Sequence, residues 1–167
     1  MEIRAVRANE LERLQAIEVA AGAAFVGVGR PEIAEDDPPS LDELTAWMDA
    51  GRCWVADDGG AVVAYVVVDL VDGVAHVEQV SVHPDAGGRG VGAALLEHVR
   101  AWAAEQGHDR VTLTTFADVP WNAPYYERLG FTVLRDGDLG PELDALMDTE
   151  EHHGLRRSER VAMSRPT

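Results

Sequence analysis

Apolar and polar residues alternate from Glu2 to Arg7, and the apolar spacing then stretches at Leu11, Leu14, Ile17 and Ala21. A period of two predicts a strand and a period near 3.6 a helix, so the chain opens β then α. Asn9 and Glu12 stand at capping-box spacing at the head of that helix. Phe25 to Pro39 carries no periodicity but several glycines and prolines, which predicts a long irregular loop. Ser40 and Glu43 form a second capping-box signal, opening a helix with Leu41, Leu44, Trp47 and Met48 on one face and Gly51 as its stop. Three strand-like runs follow, Cys53 to Ala56, Ala61 to Leu70 and Val74 to Val82. They are separated by Asp57-Asp58-Gly59-Gly60 and Asp72-Gly73, hairpin signals that predict antiparallel neighbours.

The pattern turns helical again at Val91, Ala94, Leu95, Val99, Trp102 and Ala103, with Gly107 near the end of the helix. Val111 to Phe116 is a strand reached through that helical crossover, hence parallel to Val74–Val82. A short helix is expected from Ala123 to Leu129, stopped by Gly130, then a strand over Phe131 to Arg135. A helix over Pro141 to His153 and a last strand over Arg160 to Ser164 complete the chain.

At 167 residues and 46% hydrophobic content the chain is long enough for one substantial core, so a single domain over 1–167 is expected. The net charge of −16 argues against nucleic acid or an anionic membrane surface as partner and leaves cationic small molecules or peptides compatible. The longest apolar run, Ala61 to Val68, is too short to span a bilayer, and the charged opening MEIRAVRANELERL lacks the apolar core of a secretory signal. A cytoplasmic enzyme or binding module is the expectation. Cys53 has no activating neighbour and reads as a packed apolar residue, while the adjacent His152 and His153 read as solvated rather than as metal ligands.

The chemistry concentrates in VEQVSVHPDAGGRGVGAALL, residues 77–96, where a strand runs through Gly87, Gly88, Gly90 and Gly92 into a helix. Unpaired amides and the positive end of the helix dipole make such a turn a site for an anion, and Arg89 offers a charge-assisted contact. A P-loop needs a lysine, and all fourteen basic residues here are Arg. A dinucleotide turn is matched by Gly88, Gly90 and Ala93. Five residues nevertheless separate Val82 from Gly88, and no acidic residue follows on the next strand before Asp118.

Residues 87–92 resemble the acyl-CoA pyrophosphate turn of the Gcn5-related N-acetyltransferase (GNAT) superfamily. Gly90 and Gly92 match its two small positions, and Gly87 stands where the family usually has Arg or Gln. Asn122-Ala-Pro-Tyr-Tyr126-Glu-Arg-Leu-Gly130-Phe131 is similar to the family's downstream N-x-x-x-x-Y-x-x-x-G-F signature. The resemblance implies the GNAT fold: an α/β (α+β) chain with a mixed, mostly antiparallel twisted sheet of about six to seven strands flanked by helices.

It also implies acetyl-CoA as cosubstrate, cradled by Gly87, Gly88, Arg89, Gly90, Val91, Gly92 and Ala93, with Asn122 touching it and the backbone of Val80, Ser81 and Val82 holding the acyl oxygen. Tyr126 is the expected acid for the departing thiolate and Glu78 the expected base for the amine, with His76 and His83 as weaker candidates. Glu18, beside the apolar stripe of the first helix, offers a carboxylate to a cationic acceptor. Phe25 opens the loop from which acceptor pockets of the family are built. The function expected is direct acetyl transfer to a primary amine of a small molecule or peptide, with a non-catalytic acyl-CoA sensor as the alternative. The resemblance further suggests pairing of two copies through the C-terminal strands.

Overall fold

A computed structural model describes residues 1–167. Seven strands lie in one mixed sheet in the order β1-β2-β3-β4-β5-β7-β6, flanked by helices. They are β1 (Glu2–Ala5), β2 (Cys53–Asp58), β3 (Ala61–Val71), β4 (Val74–Val82), β5 (Arg110–Phe116), β6 (Thr132–Val133) and β7 (Arg160–Pro166). The helices are α1 (Leu11–Gly22), α2 (Pro31–Glu35), α3 (Leu41–Asp49), α4 (Val91–Glu105), α5 (Ala123–Arg128) and α6 (Pro141–His152). No helix is long and apolar enough to cross a membrane. The chain divides into two compact units, one of Met1–Val68 with Gln79–His98, the other of Asp69–Glu78 with Val99–Thr167.

In the first unit β1 and β3 pair antiparallel on either side of β2, with a register shift at Ala56/Asp57. Leu14, Ile17, Leu44, Val55, Tyr65 and Val67 are fully buried in its core, to which α1 and α3 contribute the apolar stripes read from their spacing. Cys53 belongs to that core, and burial pushes its thiol up to about 12, so it packs rather than reacts.

The head of α1 differs from expectation. Ala8–Glu10 form a 3₁₀ turn, so Asn9 lies inside it and the Asn9–Glu12 box does not form. Glu10 instead accepts the Arg7 N–H at 2.8 Å and pairs with Arg4, which also holds Asp57. Residues 25–39 are likewise more regular than a loop, with a 3₁₀ stretch at Ala23–Val28 and the short α2 started by Pro31.

The Ser40–Glu43 box is present: Ser40 Oγ accepts the Glu43 N–H at 3.1 Å, and the Glu43 carboxylate accepts the Ser40 N–H at 2.8 Å. Ser40→Ala should therefore cost about 1 kcal/mol, measured as a shift in the denaturant midpoint at constant m-value.

The second unit is built on β5. It pairs in parallel with β4 from Ala75↔Val111 to Val77↔Leu113, as the crossover predicted, and antiparallel with β7 along its whole length. The last strand thus inserts between β5 and β6, and β6 shrinks to two residues on its far side. The Asp72-Gly73 turn has positive φ at both residues, 52° and 74°, the geometry of a tight two-residue hairpin turn. Its Asp72 carboxylate then caps α6, accepting the N–H groups of Glu142 at 2.9 Å and Leu143 at 3.0 Å, while Glu142 accepts the Asp72 N–H in return. Gly140 stands beside this cap, where a Cβ would run into the Asp72 carboxylate.

Candidate active site

In the first unit β4 ends at Val82, and Pro84–Ala86 make one 3₁₀ turn whose Asp85 N–H donates to His83 Nδ1 at 3.2 Å. That places His83 in a turn-forming role. Gly88 and Gly90 adopt left-handed φ of 71° and 75°, and beside each the position of a missing Cβ is open space. The first i→i−4 bond of α4 is Ala94 N–H to Gly90 O at 3.0 Å, so the amides of Val91, Gly92 and Ala93 precede the helical ladder. Bare backbone, open space and a helix N-terminus together suit a phosphate group. Arg89 pairs with Asp58 at 2.9 Å, so its guanidinium is shared with a carboxylate.

The same unit contains a cluster that sequence reasoning caught only at one end. Glu18, half-buried on α1, accepts hydrogen bonds at Oε2 from the hydroxyls of Tyr65, at 2.8 Å, and Ser81, at 2.5 Å. Ser81 Oγ accepts from Gln79 Nε2 at 2.9 Å. Tyr65 is fully buried, and burial, reinforced by the Glu18 carboxylate, pushes its phenol far above the ordinary range. A tyrosine inside the apolar run 61–70 was the available signal, because a buried phenol needs a partner. Phe25 sits half-buried in the 3₁₀ stretch that follows α1.

In the second unit Glu78 is exposed, its side chain 39% accessible, with its carboxylate 4.0 Å from His76 Nε2. His76 is fully buried, its Nδ1 2.9 Å from Thr112 Oγ1, and burial depresses it from 6.5 to about 4. The imidazole is thus neutral near pH 7 and better suited to positioning than to taking a proton.

The depressed value makes His76 a pH sensor of stability. Above pH 6.5 neither state carries the charge. As pH falls from 6.5 to about 4 the unfolded chain binds a proton that the folded one refuses, and stability drops by roughly 3 kcal/mol. Urea titrations of the wild type and His76→Asn should diverge in slope over that window and run parallel above it.

Tyr126 is buried on α5, its ring edge-on to Phe131 at 5.9 Å and to Tyr125 at 5.5 Å. Burial first, then Tyr125, hold its phenol well above the ordinary value, against an opposing pull from Arg160. Tyr125 is half-buried with the Arg128 guanidinium over its ring, consistent with packing. Asn122 occupies the position before α5, but its side chain donates to the Trp121 carbonyl at 3.1 Å and makes no helix cap.

Arg160, which no sequence signal singled out, lies over the Phe116 ring at 4.9 Å with its side chain 10% exposed. It donates to Thr114 at 3.1 Å and Glu150 at 3.3 Å, and its Nε has no partner. Burial lowers its pKa despite Glu150, Glu78 and Tyr126, so the second unit brings both expected catalytic residues within this guanidinium's field.

These features agree with what comparison with known proteins finds. Residues 18–131 match the model of the acetyltransferase (GNAT) family, and the chain belongs to that family. A GNAT-family acetyltransferase from Staphylococcus aureus Mu50 has the same fold at 16% identity and a TM-score of 0.75, over 99% of this chain and 98% of that one. N-acetylglutamate synthase from Neisseria gonorrhoeae, solved with coenzyme A and N-acetyl-glutamate, matches at 14% identity and a TM-score of 0.74. There 99% of this chain corresponds to 34% of that protein. The ribosomal-protein-S18-alanine N-acetyltransferase of Escherichia coli matches at 20% identity and 0.66, over 99% and 92%.

Proposed function

We propose that the protein is an N-acetyltransferase that moves the acetyl group of acetyl-CoA directly to a primary amine of a small molecule or peptide, both being bound together. The observation that carries this is the glycine turn ahead of α4, with two left-handed glycines and open space where side chains would be, inside the matched family region. In this reading the amides of Val91, Gly92 and Ala93 hold the diphosphate, and the backbone of Val80 to Val82 receives the acyl oxygen. Acetyl-CoA supplies a thioester-activated acetyl group and a thiol leaving group.

The protein's own part is proton traffic. Glu78, exposed and therefore reachable by water, takes the proton of the ammonium through solvent. Tyr126, which its buried setting keeps protonated at neutral pH, gives a proton to the departing sulfur and is restored by the second proton that the nitrogen sheds as the amide forms. A family whose solved members include enzymes named for acetylating the S18 alanine and for making N-acetylglutamate is compatible with either a peptide or a small acceptor.

A panel of amines assayed for release of free thiol from acetyl-CoA tests the proposal. Turnover with at least one amine is expected. CoA binding without turnover on a broad panel would favour a non-catalytic acyl-CoA sensor instead.

A further inference from the structure

Several half-buried carboxylates of this protein are held by guanidinium or backbone N–H groups: Glu10 and Asp57 by Arg4 at 2.7 and 2.8 Å, Glu150 by Arg160 at 3.3 Å, and Asp72 by the amides of Glu142 and Leu143. Glu18 differs from these. Its Oε2 is saturated by two neutral hydroxyls, those of Tyr65 and Ser81, and its Oε1 takes no hydrogen bond or ion pair from the chain. Neutral donors orient a carboxylate without cancelling its charge, so what remains is a fixed negative oxygen on a half-buried residue. The rotamer is already locked through Ser81 to Gln79 and through Tyr65 to the core, so little side-chain entropy is lost when a ligand binds. Ser81 lies between Val80 and Val82 on β4, so the open oxygen belongs to the same unit, and is tied to the same strand end, as the proposed acyl and diphosphate contacts.

We propose that Glu18 Oε1 is the subsite for the ammonium group of the acceptor. The substrate class is then an aliphatic amine, protonated near neutral pH, rather than an arylamine or a hydroxyl compound. The inference rests on the N-acetyltransferase reading and adds to it the group that binds the acceptor's charge. Satisfying the Tyr65 and Ser81 hydroxyls is a purely structural task that a glutamine carbonyl performs equally well. Glu18→Gln therefore removes the charge and keeps the framework.

The experiment uses the full chain, an aliphatic amine that it acetylates, and the N-trimethyl analogue of that amine as a competitor that cannot react. Glu18→Gln should raise KM for the amine about tenfold or more and weaken inhibition by the trimethylammonium compound to a similar degree. Its kcat at saturating amine, its KM for acetyl-CoA and its melting midpoint should stay close to wild type, whereas Glu78→Gln should lower kcat. Unchanged KM and inhibition in Glu18→Gln overturn the subsite while leaving the enzymatic reading intact. A fall in melting midpoint with both KM values rising together also overturns it, because the role would then be structural. A wild type that binds CoA and acetylates no amine overturns the enzymatic reading, and the subsite with it.

Discussion

Tyr126→Phe is expected to lower kcat by about 10²- to 10⁴-fold, the usual worth of a positioned acid, while acetyl-CoA affinity stays within about twofold. The substitution is clean because the phenol oxygen makes no hydrogen bond within the chain, and the ring contacts to Phe131 and Tyr125 survive in a phenyl group. The melting midpoint should scarcely move. The same burial that lifts the phenol's pKa sets the pH dependence. An acid raised above 10 stays protonated through the neutral range, so the wild type should show no alkaline loss of kcat attributable to Tyr126 below pH 10. A Tyr126→Phe enzyme with kcat within about threefold of wild type would remove the acid assignment.

Much of this arrangement is readable in the residues themselves, and the failures have identifiable causes. Local signals transfer well: Ser40 with Glu43, the Asp72-Gly73 turn and Gly130 after α5 each do what their chemistry dictates. The crossover from β4 through α4 to β5 is parallel as the connection rule requires. The Asn9 cap fails because Asn9–Glu12 and Arg7–Glu10 have the same spacing, and the ion pair of Glu10 with Arg4, from a different element, favours the latter. Asp72 as the cap of α6 lies about seventy residues from the amides it serves, so no window along the chain contains it.

The candidate site divides in the same way. Its backbone half is a local glycine pattern and is legible. The side-chain clusters, Tyr65 and Ser81 around Glu18 in the first unit and Arg160 beside Glu150 in the second, are assembled from positions that only folding makes neighbours.

The glycine turn offers a test that separates binding from folding. Gly90→Asp is expected to reduce CoA affinity at least about hundredfold by calorimetry, with little loss of stability. Gly90 is left-handed at φ 75°, which costs a side chain about 1 kcal/mol, although Asp tolerates this region better than most residues. Offsetting that strain, a carboxylate at the head of the fifteen-residue α4 interacts favourably with the helix dipole, and the space beside Gly90 is open, so nothing is displaced.

For a bound diphosphate the balance reverses. The carboxylate would lie against like charge, and a repulsion of about 4 kcal/mol at 4 Å in a medium of effective dielectric near 20 exceeds what the fold loses. Gly90→Ala carries the strain without the charge and should bind CoA with an affinity between the two. If Gly90→Asp bound CoA within a few-fold of wild type while remaining folded, the anion would have to sit elsewhere. The roles given to Val91, Gly92 and Ala93 would then fall, because they depend on the same end of the same helix.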